Sequence, residues 1–280
     1  MKNKYFINLS INKITNTSSI TFSKALFGFA KIFSGGLIFG EFLGRSITAL
    51  VCLIFAFKKD KEFFFMPKFN ELKTLAKKYI IAPKFLLPSQ AINTIGGQLP
   101  VLLMAAFFSI QDIGYFSMAL AILSLPASLV SLAVRDAFRK KAYDIFSETG
   151  NCFGLYRDTL FVMAILSFLG FSVFYFLAPQ LFSIVLGKDW IIAGEYARIL
   201  VPIVAVSFVS ETGSAMFIIG DKMKELLFWQ ISYFLLTVVP LLIGIIIFNN
   251  FKDTLICFMI GRTISHILSF IITSRIANGK

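Results

Sequence analysis

From residue 14 to its end this chain repeats one pattern: an apolar run of about twenty residues, a polar or charged connection, then another such run. A helix of that length crosses the hydrocarbon core of a bilayer, and a helix satisfies all its backbone polar groups within one segment. Eight runs can be counted, at 14–33, 36–57, 85–109, 113–138, 156–177, 197–219, 226–248 and 252–274. Composition agrees. Of 280 residues, 57% are hydrophobic and only 15% charged, against about 25% charged in soluble domains, and mean hydropathy is +0.81. The expected fold class is an all-α membrane protein, a polytopic bundle of about eight transmembrane helices.

The net charge of +12 would suggest nucleic acid in a soluble protein. Here most cations fall in alternate connections, so topology accounts for them and no nucleic-acid partner is expected. One set of connections holds Lys2, Lys4 and Lys13, the lysines from Lys58 to Lys84, the cluster from Arg135 to Lys141 with Arg157, Lys222 and Lys224, and Arg275 and Lys280. The opposite set holds Lys31, Lys188 and Lys252. The first set is expected to be cytoplasmic, which places both termini inside and makes Arg135–Lys141 a stop at that face. Trp190 and Trp229, near run ends, read as interfacial aromatics. The residues around 178–196 are too interrupted for a crossing and read as a re-entrant or interfacial piece. The first 28 residues have a basic start but no compact apolar core followed by a cleavage site, so no cleavable signal peptide is expected.

Cys52, Cys152 and Cys257 have no paired spacing and there is a single histidine, so neither a disulfide framework nor a metal site is expected. No nucleophile elbow, P-loop or acidic metal motif is present. An enzyme is not expected, nor is a cofactor.

Polar residues fall on single faces of otherwise apolar helices at i, i+3, i+4, i+7 spacing. Run one carries Lys24, run two Glu41 and Arg45, and run three Gln90, Asn93 and Gln98. Run four carries Ser117, Ser124, Ser128, Ser131 and Arg135, and run eight Arg262, Ser265, His266 and Ser269. Lipid does not solvate these groups, so the stripes face each other or water. The serines are equally suited to gluing helices together. Lys24, Arg45 and Arg262, near the middles of their runs, are candidate cavity cations with Gln90 and Asn93 beside them; Glu41 and Arg45, at i, i+4, also suit an internal pair. Arg198, at a run end, is expected to snorkel. Glu211, His266 and Glu41 are candidates for ion coupling, His266 equally for a packing role. A cavity with more cations than anions suits an anionic substrate.

Three stretches carry a family resemblance. "LPVLLMAAFFSIQDIGYFSMALAILSLPASLVSLAVRDAFRKKA" (99–142) and "GKDWIIAGEYARILVPIVAVSFVSETGSAMFIIGDKMKELLFWQ" (187–230) resemble segments of polysaccharide (O-antigen type) flippases, the second through its G-x-x-W-x-x-A-G-x-Y pattern. "SGGLIFGEFLGRSITAL" (34–50) looks like the glycine-rich helix closing their first lobe. The family is similar in fold to multidrug and toxic compound extrusion (MATE-like) transporters, with two six-helix lobes around a central cavity. The resemblance implies that residues 1–57 are the last two helices of an incomplete first lobe, 58–84 the cytoplasmic inter-lobe linker and 85–280 the six-helix second lobe. It further implies flipping of undecaprenyl-diphosphate-linked oligosaccharide across the bacterial inner membrane by alternating access. Lipid-linked oligosaccharide, membrane lipid, a polysaccharide polymerase and a chain-length regulator are the implied partners. The alternatives are a non-transporting fragment or assembly partner, and a multidrug exporter on the same fold.

Overall fold

Helical periodicity in the sequence becomes helix throughout the computed structural model, which describes residues 4–30, 36–59, 73–75, 77 and 80–279. The chain divides into two units, Met1–Ala76 and Lys77–Lys280. The expected linker, 58–84, and Lys31 lie largely outside the described residues.

The first unit contains α1 (Lys4–Ala30) and α2 (Gly36–Lys59). Gly36, Gly40 and Gly44 lie one turn apart on α2 and meet Phe27, Lys24 and Ile20 of α1 in reverse order, so the helices are antiparallel. The approach is close enough to require glycine: a Cβ on Gly44 would sit 2.6 Å from the Ile20 Cα. Small residues at four-residue spacing let membrane helices pack backbone to backbone.

The second unit contains α3 (Ile81–Phe107), α4 (Ile110–Thr149), α5 (Phe153–Leu186), α6 (Ile191–Gly213), the single turn α7 (Met216–Ile219), α8 (Met223–Ile243) and α9 (Phe251–Ala277). α6 is the hub, packed along α4, α5 and α9, and its buried residues lie all around its circumference. α8 packs along α9 and α3, while α3 leans on α8 rather than on α4, its neighbour in sequence. At Gly261 the backbone of α9 comes so close to the Leu236 carbonyl of α8 that no side chain fits between them.

Hydrogen bonds define the two ends of this bundle. At one end the Cys152 N–H donates to the Ala277 carbonyl at 2.9 Å and the Asn151 amide donates to Asn278 at 3.1 Å. This end carries Arg139, Lys140, Lys141, Arg157, Lys222, Lys224 and Arg275 and is called the basic end below. At the far end the Tyr196 hydroxyl donates to Asp112 at 2.7 Å and Lys252 meets Glu195 at 2.6 Å. There Phe116 sets its ring edge-on to Phe251 and Phe258, at 6.3 and 6.1 Å.

The protein is an all-α, multi-span helical bundle. Among the described residues five helical stretches are long and apolar enough to cross a membrane: Ile110–Thr149, Phe153–Leu186, Lys188–Ile219, Met223–Phe248 and Phe251–Ala277. The other three expected crossings fall on α1, α2 and α3. Polar residues interrupt the apolar stretch of α1 and α3, and side chains at both ends of α2 lie outside the described residues.

One local expectation is corrected and two are extended. The Arg135–Lys141 cluster ends the apolar run of α4 but not the helix, which continues to Thr149, because charge by itself does not break a helix. Residues 178–196 are not a re-entrant piece: they finish α5, turn through a short 3-10 helix at Lys188–Trp190 and begin α6. Arg198, expected to snorkel, has partners within the protein. Its Nε donates to the Tyr175 carbonyl at 2.9 Å and Nη2 to the Phe176 carbonyl at 3.3 Å. Pro179, inside α5, has no N–H for the carbonyl four residues earlier, and Arg198 supplies the missing donor.

Candidate functional site

Between α3, α4, α6, α8 and α9 lies a cavity of about 860 Å³, within the range of small-molecule sites. Its floor is apolar, formed by Leu120, Ile203 and Phe258, where the close packing of the far end begins. Its mouth is at the basic end, where Arg135, Asp136 and Arg139 of α4 reach it. Polar residues line the path between floor and mouth.

Helical spacing places each of these groups. Ser124, Ser128 and Ser131 follow one face of α4. Ser124 returns its hydroxyl to the Leu120 carbonyl at 2.5 Å, whereas Ser131 crosses to the Phe208 carbonyl of α6 at 3.0 Å. One stripe therefore both lines the cavity and binds two helices. On α3, Gln90 and Asn93 face the cavity. On α9, Arg262 and His266 stand one turn apart and reach it together.

Arg262 sits one turn from the floor. Its guanidinium carbon is 4.8 Å from the centre of the Tyr233 ring and 5.4 Å from that of Phe258, a placement that stabilises a cation without neutralising it. It donates through Nη2 to the Tyr233 hydroxyl, while its Nε is buried with no hydrogen-bond partner among the described residues. Beside it, His266 is 5% exposed. Both its ring nitrogens and the carbonyl oxygen of the Gln230 side chain are also buried with no partner among the described residues. Glu211, on α6, lines the same cavity. Arg135 and Arg262 are the cations that act on it, but no cation among the described residues lies within ion-pair distance.

The structure thus brings Gln90, Asn93, Glu211, Arg262 and His266 to one cavity. Lys24, Glu41 and Arg45 lie in the first unit, where they join each other. Glu41 receives Lys24 at 3.0 Å across the hairpin and Arg45 at 2.6 Å along α2.

Sequence reasoning missed part of the lining. Arg135 and Arg139 read as a topological stop, yet they line the mouth. Trp229 read as an interfacial aromatic, yet it is 9% exposed, faces the cavity and donates its indole N–H to the Ser265 carbonyl at 3.1 Å. The available signal was the face Trp229, Gln230, Tyr233 and Thr237 on α8, spaced like the stripes on α3 and α9.

No protein-family model, curated protein or solved structure matches the chain. The likeness to polysaccharide flippases rests on the motifs quoted above.

Proposed function

We propose that this chain is a transporter, not an enzyme, of the polysaccharide flippase class. In this reading it moves undecaprenyl-diphosphate-linked oligosaccharide by alternating access in the bacterial inner membrane. The basic end and both termini are cytoplasmic, and the polymerase and chain-length regulator of the same polymer are its working partners. The diphosphate and sugars occupy the cavity while the polyprenyl tail stays in lipid.

One observation carries the reading: a guanidinium whose Nε has no partner among the described residues stands one turn from the floor of a polar cavity whose mouth holds two more arginines. Buried cations inside membrane bundles are costly and are retained for function, and a guanidinium fits phosphate through paired hydrogen bonds. The amides of Gln90, Asn93 and Gln230 in the same lining suit sugar hydroxyls. Glu211 is the feature that favours the second reading, export of organic cations, but the lining holds three arginines against two carboxylates.

The test is binding to the purified chain in phosphatidylcholine nanodiscs. Undecaprenyl diphosphate should bind more tightly than undecaprenol, and Arg262→Gln should weaken it roughly 10–100-fold, the range for losing hydrogen bonds to a charged group. Equal binding of diphosphate and alcohol, or no change with Arg262→Gln, would sink the proposal. A hydrophobic cation that binds and is lost with Glu211→Gln would establish the exporter instead.

A further inference from the structure

A second void lies on the outside of the Lys77–Lys280 bundle. It is a groove of about 940 Å³ between the start of α8 and the last turns of α9, at the basic end. It shares no lining residue with the cavity. The helical period explains the separation: Trp229, Gln230 and Tyr233 face inward on α8, and Lys224 and Phe228 face outward.

The groove changes character along its length. Lys222 and Lys224 of the α7–α8 turn and Arg275 of α9 surround its terminal part. Phe228, Ile271 and Ile272 form the part nearer the bundle centre. Phe228 is 60% and Ile271 48% exposed, so this apolar part lies open on the outer face of the bundle. Among the described residues Glu225 is the one carboxylate in the lining, and it meets Lys222 only loosely, at 3.8 Å. Among the described residues no carboxylate forms an ion pair with Lys224 or Arg275. The groove is therefore cationic at the membrane boundary and apolar towards the membrane centre.

We propose that this groove binds one anionic diacyl phospholipid, with its phosphate among Lys222, Lys224 and Arg275 and its acyl chains against Phe228, Ile271 and Ile272. Charge complementarity selects the occupant. A zwitterionic lipid brings its own cation to a site that already holds three, and a soluble anion leaves the apolar part of the groove unused. Basic pockets between membrane helices capture acidic headgroups in this way. The bound lipid would clamp the α7–α8 turn onto the end of α9, where Gly220 already packs against Ile276. Nothing in this assignment depends on what the cavity transports.

The experiment is native mass spectrometry of the full chain released from vesicles of equal phosphatidylglycerol and phosphatidylcholine. The wild type should retain one phosphatidylglycerol with roughly 30-fold preference, the order expected for a net excess of two cations at a membrane surface. The triple variant Lys222→Gln, Lys224→Gln, Arg275→Gln should lose that preference. Lys140→Gln, Lys141→Gln, Arg157→Gln removes as many cations from the same end outside the groove and should keep it. Ile272→Trp leaves the cations and fills the apolar part, and it should lose the lipid as well; it decides the matter if the triple variant does not fold. The proposal is overturned if the wild type shows no preference, if both triple variants lose it equally, if Ile272→Trp retains the lipid, or if inorganic phosphate displaces it.

Discussion

The far end of the Lys77–Lys280 unit is closed by side chains that pair with each other, whereas the lining of the cavity leaves polar groups facing open space. Tyr196 has Asp112, Lys252 has Glu195, and the rings of Phe116, Phe251 and Phe258 close the space between. Beside the cavity Arg262, His266 and Gln230 each keep a buried polar atom without a partner among the described residues. The helices are the same, so the difference is not one of secondary structure or apolar content. A bundle that left such groups unpaired merely to hold itself together would be less stable than one with leucine in their place. The far end is closed by these contacts, while the cavity lining leaves space for a guest.

The sharpest way to break this comparison is to cut into the seal. Phe116→Ala, at a fully buried position, should cost about 3–5 kcal/mol, read from unfolding in mixed micelles. A cost under about 1 kcal/mol, less than an ordinary core truncation, would mean that the far end is not close-packed. Gly261→Val should come next, because its side chain would strike the Leu236 carbonyl and Pro240. Overpacking of this kind costs about 1–3 kcal/mol, and the same assay should show it.

Arg198→Met should cost about 1–2 kcal/mol by leaving the Tyr175 carbonyl without a donor. Pro179→Ala restores a helical N–H for that carbonyl, so in its background the Arg198→Met cost should fall towards zero. A double-mutant cycle measures the coupling, and strictly additive effects would refute the compensation. The smallest effect on stability should come from His266→Leu. It breaks no hydrogen bond among the described residues and should leave stability unchanged or raise it by up to about 1 kcal/mol, while, on the proposed function, weakening undecaprenyl diphosphate binding. A large loss of stability would instead make His266 a structural residue.

The helices and their polar faces were legible because both follow from a local period. Arg262 and His266 share a face wherever α9 lies, as do Gln90 and Asn93 on α3. The Glu41–Arg45 pair was legible for the same reason, at i, i+4. The contact between Lys24 and Glu41 was not, since it depends on how far α1 slides along the glycine row of α2. The donor role of Arg198 was also hidden, because Pro179 and Arg198 lie on different helices. Charge misled in one place: the arginines that mark the end of the apolar run on α4 also line the mouth of the cavity.

The sequence by itself determined that this protein is a set of membrane-length helices, which residues share each face, and that cations outnumber acids near the middles of the runs. Tertiary structure decided which faces meet. It made α6 the hub, collected the stripes of α3, α4, α6, α8 and α9 around one cavity, and turned the outer face of α8 into a separate groove. In lipid an apolar face gains little by choosing one apolar neighbour over another, so hydropathy does not select partners. Close approach at glycines and matched polar groups do, and both belong to pairs of helices rather than to either sequence alone.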